Sequence, residues 1–153
     1  MRPFIPLCAL AILSVSTTAA ADGAISKVST HLYYHDSGVI DEREASGLKH
    51  WNTIIGEGDA SGPSSAVVVR VTVSGAQTMT KGAVELVAQG GKKRLLKQRV
   101  SLDDYLVENG KPVVLPFLVY GTGCDDLAVT ATLLAGKKTV EKKAVLVPFE
   151  CGE

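Results

Sequence analysis

From Ala66 to Ser74 the side chains alternate: Val67, Val69, Val71 and Val73 fall on one side, Val68, Arg70 and Thr72 on the other. A period of two built on β-branched residues marks a half-buried strand. Ala83 to Gln89 repeats the pattern with Val84, Leu86 and Ala88 inward, and Leu127 to Leu134 with Leu127, Val129, Ala131 and Leu133 inward. Gly90-Gly91 before Lys92 predicts a two-residue hairpin turn. Arg94 to Val100 then returns antiparallel, and its basic residues suit an edge strand. Ala135-Gly136-Lys137-Lys138 predicts a second hairpin, with Thr139 to Phe149 running back. Val113 to Tyr120 is apolar throughout, which predicts burial on both faces, yet Pro116 within it points to an edge or a bulge. Ser101-Leu102-Asp103-Asp104 reads as a helix N-cap or turn start, Tyr105-Leu106-Val107 as a short ordered stretch, and Asn109-Gly110-Lys111-Pro112 as a turn.

The first third is less regular. Ile25 to Tyr34 predicts a strand with Val28, Leu32 and Tyr34 on one face. Residues 35–64 have weak periodicity, and structureless stretches that long usually carry function or conceal an element. Trp51, Thr53 and Ile55 alternate, so Leu48 to Ile55 is expected to be a strand of its own. Seven or eight short strands with turns between them, and no segment of helical period, predict an all-β fold: an antiparallel β-sandwich. The expected topology is immunoglobulin-like, with an up-and-down barrel as the alternative. The strand pattern resembles immunoglobulin-like exported bacterial domains in general. The cysteines depart from the antibody arrangement, because Trp51 precedes both of them instead of lying between them.

The amino-terminal segment changes the picture. Arg2 gives a positive start, Phe4 to Val15 is almost wholly apolar, and Ser16-Thr17-Thr18 leads to Ala19-Ala20-Ala21. This is the build of a secretory signal peptide, residues 1–21, cleaved after Ala21. Its apolar run is too short to cross a bilayer, which takes roughly 20 residues. The mature chain is then a single domain, residues 22–153, placed in the periplasm or outside the cell. Cys8 leaves with the signal peptide, so Cys124 and Cys151 remain. An exported chain with one cysteine pair predicts a disulfide. A hairpin turn on Lys137-Lys138 would set the two directly opposite each other. One on Gly136-Lys137 would set them nearly so. Parity opposes the pairing: if Val129 and Val145 share a face, Cys124 and Cys151 do not, so an irregularity must intervene.

Charge excludes more than it identifies. Lysine plus arginine and aspartate plus glutamate each number 16, and the formal net charge is zero. No general attraction to nucleic acid or anionic lipid follows. The clusters Lys92-Lys93-Arg94, Lys137-Lys138 and Lys142-Lys143 read as solvated turns and edge protection. Catalysis has no visible constellation: neither a G-x-S-x-G elbow nor an H-E-x-x-H run is present. No cofactor is implied.

Two candidate sites remain. His31 and His35 are four apart, hence on one face of a strand, with Asp36 beside them. Imidazole and carboxylate suit copper or zinc, so a small periplasmic metal-binding protein is one reading. The other starts from Trp51-Asn52-Thr53-Ile54-Ile55-Gly56-Glu57-Gly58, which holds the sole tryptophan and two glycines expected at positive φ. Tryptophan is enriched in binding hot spots, and binding residues often sit on loops held by a rigid scaffold. Trp51, Asn52, Glu57 and Asp59 are therefore the candidate binding residues, and a protein or cell-envelope component is the expected partner. A purely structural role, with Trp51 plugging one end of the sandwich, accounts for the same residues.

Overall fold

The computed structural model describes residues 23–79, 81–105 and 110–152. The expected signal peptide lies outside these residues, as do residues 106–109. Ten strand segments are described: β1 (Ala24–Tyr34), β2 (Val39–Ile40), β3 (His50–Trp51), β4 (Ala66–Ser74), β5 (Gly82–Gly90), β6 (Lys93–Ser101), β7 (Val113–Tyr120), β8 (Leu127–Ala135), β9 (Lys138–Val147) and β10 (Phe149–Glu150). Eight of them form two antiparallel sheets, ordered β2-β1-β4-β7 and β6-β5-β8-β9, while β3 and β10 pair parallel as a short ribbon.

The two sheets share one apolar core. Val67, Val69, Val71 and Val73 of β4 join Leu115, Phe117 and Val119 of β7 on one side. Val84, Leu86 and Ala88 of β5 join Leu127, Val129, Ala131 and Leu133 of β8 on the other. Every inward position predicted from alternation in β4, β5 and β8 is fully buried. Each large aliphatic side chain so buried contributes roughly 1.5–3 kcal/mol. In β1, Leu32 and Tyr34 are buried in the core and Val28 packs against it.

The edges are blunted in different ways. β6 carries Lys93, Arg94, Lys97 and Arg99, and charge on an edge discourages pairing with another chain. β7 is the edge of the first sheet, and its burial alternates strictly. Burial on both faces is expected for Val113 to Tyr120, but only the inner face is buried: Val114 and Tyr120 on the outer face are exposed. Pro116 sits opposite Arg70. Just beyond the strand, the Gly121 amide donates to the Ser65 carbonyl at 2.9 Å. Hydrogen-bonded pairs alternate along an antiparallel ladder, so the odd positions of β7 bond β4 and the even ones face the free edge. Pro116 thus costs no ladder bond.

Two other expectations need correction. The strand expected over Leu48 to Ile55 is only His50–Trp51. Asn52 turns left-handed, with φ 46° and ψ 41°, and Thr53–Ile55 closes into a 3-10 turn. That reversal ends the alternation. The run from Thr139 to Phe149 is two elements, because Pro148 cannot continue the ladder and Phe149–Glu150 leaves the sheet to join β3. At Ser101-Leu102-Asp103-Asp104 the second of the two expected readings, a turn, is the one that forms: Asp103 N–H donates to Ser101 Oγ at 3.2 Å and Tyr105 N–H to the Leu102 carbonyl at 3.2 Å.

The last hairpin explains how the cysteines meet. Its turn is Gly136-Lys137, and the register slips by one beside Val140, so that Leu134 faces Thr139 but Leu133 faces Glu141. Val129 then faces Val145. After Pro148 the chain is free of the ladder's parity. Cys151 comes to lie with its Cα 5.1 Å from that of Cys124, and the two are bridged.

Candidate binding surface

The excursion between β1 and β4 is held by side chains where ladder bonds are few. Asp41 is the first centre. Its Oδ1 accepts from the Arg43 amide and Nε, each at 3.0 Å. Its Oδ2 accepts from Arg43 Nη2 at 2.7 Å and from the Tyr34 hydroxyl at 2.6 Å. The Arg43 guanidinium hydrogen bonds, helped by the Tyr34 hydroxyl, hold the Asp41 carboxyl far below the ordinary carboxylate range despite its burial. Arg43 Nη2 also donates to the Asp59 carbonyl at 2.9 Å, and the Ser61 amide donates to the Tyr34 oxygen at 3.0 Å. One carboxylate thereby fixes residues 34, 43, 59 and 61 relative to one another.

Asp59 is the second centre. Its carboxylate accepts from the Lys49 amide at 2.7 Å, and its own amide donates to the Lys49 carbonyl at 3.1 Å. Gly58 lies so close beneath β3 that a Cβ there would stand 2.7 Å from the Lys49 oxygen. Its φ of 72°, like the 82° of Gly56, bears out the positive φ expected at both glycines.

This frame presents residues 51–57. Of the eight large apolar side chains left exposed among the described residues, three fall here: Trp51 at 36%, Ile54 at 46% and Ile55 at 66%. Asn52 organises them. Its amide donates to the Glu150 carbonyl at 2.8 Å, its Oδ1 accepts from the Gly152 amide at 2.7 Å, and its Nδ2 donates to Glu57 Oε2 at 2.8 Å. The Trp51 ring lies flush on the carboxy-terminal backbone: a Cβ on Gly152 would stand 2.5 Å from its Cζ2. Lys49 Nζ stands 5.9 Å from the ring centre, within cation–π range. The result is an open groove of about 600 Å³ lined by Trp51, Asn52, Ile54, Ile55, Glu57 and Cys151.

Trp51, Asn52 and Glu57 are thus brought together, and Asp59 is not: its carboxylate braces the loop from behind. Ile54 and Ile55 were not singled out from sequence. The available signal was an apolar pair between an asparagine and a glycine, a place where a turn exposes whatever it carries. The other histidines are dispersed. His31 is buried, with Nδ1 2.9 Å from the Asp41 carbonyl and Nε2 3.2 Å from Ser29 Oγ. His35 is exposed, bonded through Nε2 to Ser65 Oγ at 3.1 Å and stacked on Tyr120. Asp36 lines a separate groove of about 620 Å³ with Tyr34, Val39, Glu42 and Pro63. Among the described residues no three His, Cys, Asp or Glu side chains group as metal ligands.

His50 supports the frame from within. Its Nε2 donates to the Ala45 carbonyl at 2.5 Å, its ring stacks on Phe149 at 4.7 Å, and its buried Nδ1 has no partner. Burial holds its pKa below the ordinary histidine value.

Fold and surface define a class: an all-β domain of two antiparallel sheets with an apolar groove at its disulfide. No helix among the described residues is long and apolar enough to cross a membrane. No protein-family model matches the chain, and no curated protein matches it in sequence.

Proposed function

We propose that this chain is an exported, non-enzymatic domain that binds a protein or another envelope component through Trp51, Ile54 and Ile55. The observation that carries the reading is the concentration of exposed apolar area on a braced turn. Solvated loops rarely cluster such residues, and exposed apolar groups held rigid next to polar neighbours favour association. Ordering costs little on binding, because Asn52 and Asp59 already fix the turn. The leader-like residues 1–21 and the disulfide suit a periplasmic or extracellular location.

The same reading takes the two sheets as an immunoglobulin-like sandwich. Strand order supports it. Among the seven long strands, the first, second and fifth form one sheet, and the fourth, third, sixth and seventh the other. That matches the division of strands A, B and E from C′, C, F and G in such domains. The binding loop then lies in the connection from A to B.

Immobilised protein should retain a component of its own host's envelope extract, and Ile54→Ser/Ile55→Ser should not. Both residues are exposed, so the double variant should melt close to wild type. Full retention by a folded double variant would refute the assignment.

A further inference from the structure

We infer that the Cys124–Cys151 disulfide is a redox latch on the Trp51 surface: its reduction releases residues 150–152 and loosens that surface while the two sheets stay folded. Beyond Pro148, Phe149 remains anchored, buried against the core and stacked on His50. The residues after it have little else to hold them. Glu150 pairs with Trp51, its carbonyl takes the Asn52 amide, and the Gly152 amide reaches Asn52 Oδ1. These are partly exposed contacts with little buried apolar surface behind them, and such a stretch opens locally at low cost without a tether. The disulfide is the tether.

The consequence falls on Asn52. It occupies the left-handed region, which a non-glycine residue holds only when its surroundings fix it. Two of its fixing bonds come from Glu150 and Gly152. Once they go, Trp51 also loses the backbone on which its ring lies. By contrast, the cores of β4, β5, β7 and β8 contain no atom of the bridge. The latch therefore acts locally.

Cys124 is exposed and Cys151 partly buried. A dithiol reductant is the required co-reactant. One of its thiolates attacks Cys124 Sγ, the S–S bond breaks, and Cys151 leaves as a thiolate that takes up a proton. The second reductant thiolate then displaces Cys124, giving the oxidised reductant and two protein thiols. That this opening alters partner binding rests on the function proposed above; the opening itself does not.

Trp51 is the sole tryptophan and so reports the event directly. Oxidised protein is treated with dithiothreitol under native conditions until thiol titration counts two. Tryptophan emission should shift to longer wavelength, the acrylamide quenching constant should rise about twofold, amide exchange at residues 51–57 should quicken at least tenfold, and far-UV circular dichroism should hold. Reoxidation should restore the starting values. Unchanged emission, quenching and exchange with two free thiols would overturn the latch. So would global loss of circular dichroism on reduction, which would make the bridge a staple of the whole fold. A working latch with no effect on retention of the envelope component would leave the latch standing and count against the proposed function.

Discussion

Replacing Asp41 with asparagine isolates the contact that organises the excursion between the first two long strands. The carboxylate accepts four hydrogen bonds, three from Arg43 and one from Tyr34. Arg43 is about half exposed, so solvent screens its ion pair and little of the loss comes from it. The bond from the Tyr34 hydroxyl is buried and charge-assisted, worth about 1.5–3 kcal/mol. An asparagine amide would also turn a donor toward donors. A loss of roughly 2–3 kcal/mol should follow, read as a lower urea midpoint with unchanged m-value. The loss depends on pH. The folded carboxyl titrates below its ordinary value, so its contribution is complete above about pH 4 and declines as the pH falls below that. Wild type and Asp41→Asn should therefore converge in acid. A difference under about 0.5 kcal/mol at pH 7, or an undiminished one at pH 2.5, would show that Asp41 does not brace this segment.

Two further outcomes follow from single side chains. Burial lowers the pKa of His50 in the fold, whereas an unfolded histidine takes up a proton at about pH 6.5, so stability falls as the pH drops through that value. His50→Phe keeps a ring against Phe149 and removes the titration. Between pH 7 and 5 wild type should lose stability relative to it in urea melts, and parallel losses would contradict the assignment. Pro116→Thr restores an N–H to the free edge of β7, so light scattering should show more concentration-dependent association than in wild type. Indistinguishable scattering would mean that this edge is protected by something else.

Sequence alternation was sufficient wherever a ladder and a half-buried face coincide. Val67 to Val73, Val84 to Ala88 and Leu127 to Leu133 each placed their inward side chains correctly, and glycine marked both tight hairpins. It failed at β7 because apolar character does not say whether a second layer covers the outer face. It failed at Phe149 because the pattern continues through Pro148 while the backbone cannot. The candidate surface was half legible. Trp51, Asn52 and Glu57 stood out by residue type, but the left-handed Asn52 that turns Ile54 and Ile55 outward depends on bonds from Glu150 and Gly152, about a hundred residues away in the chain. Asp59 is a candidate binding residue by sequence, yet its carboxylate is taken up by the Lys49 amide. Side chain-to-backbone bonds of this kind leave no periodic trace.

The Trp51–Ile55 turn is the proposed contact surface. A photo-crosslinking residue placed at Ile55, in cells that make the protein, tests it most directly. Val114 serves as the comparison, because it is also apolar and exposed but lies on the outer face of the first sheet. Position 55 should give a discrete adduct, abolished by Ile54→Ser, and position 114 should give none. An adduct from position 114 with none from position 55 would contradict it and move the contact to the uncovered sheet face.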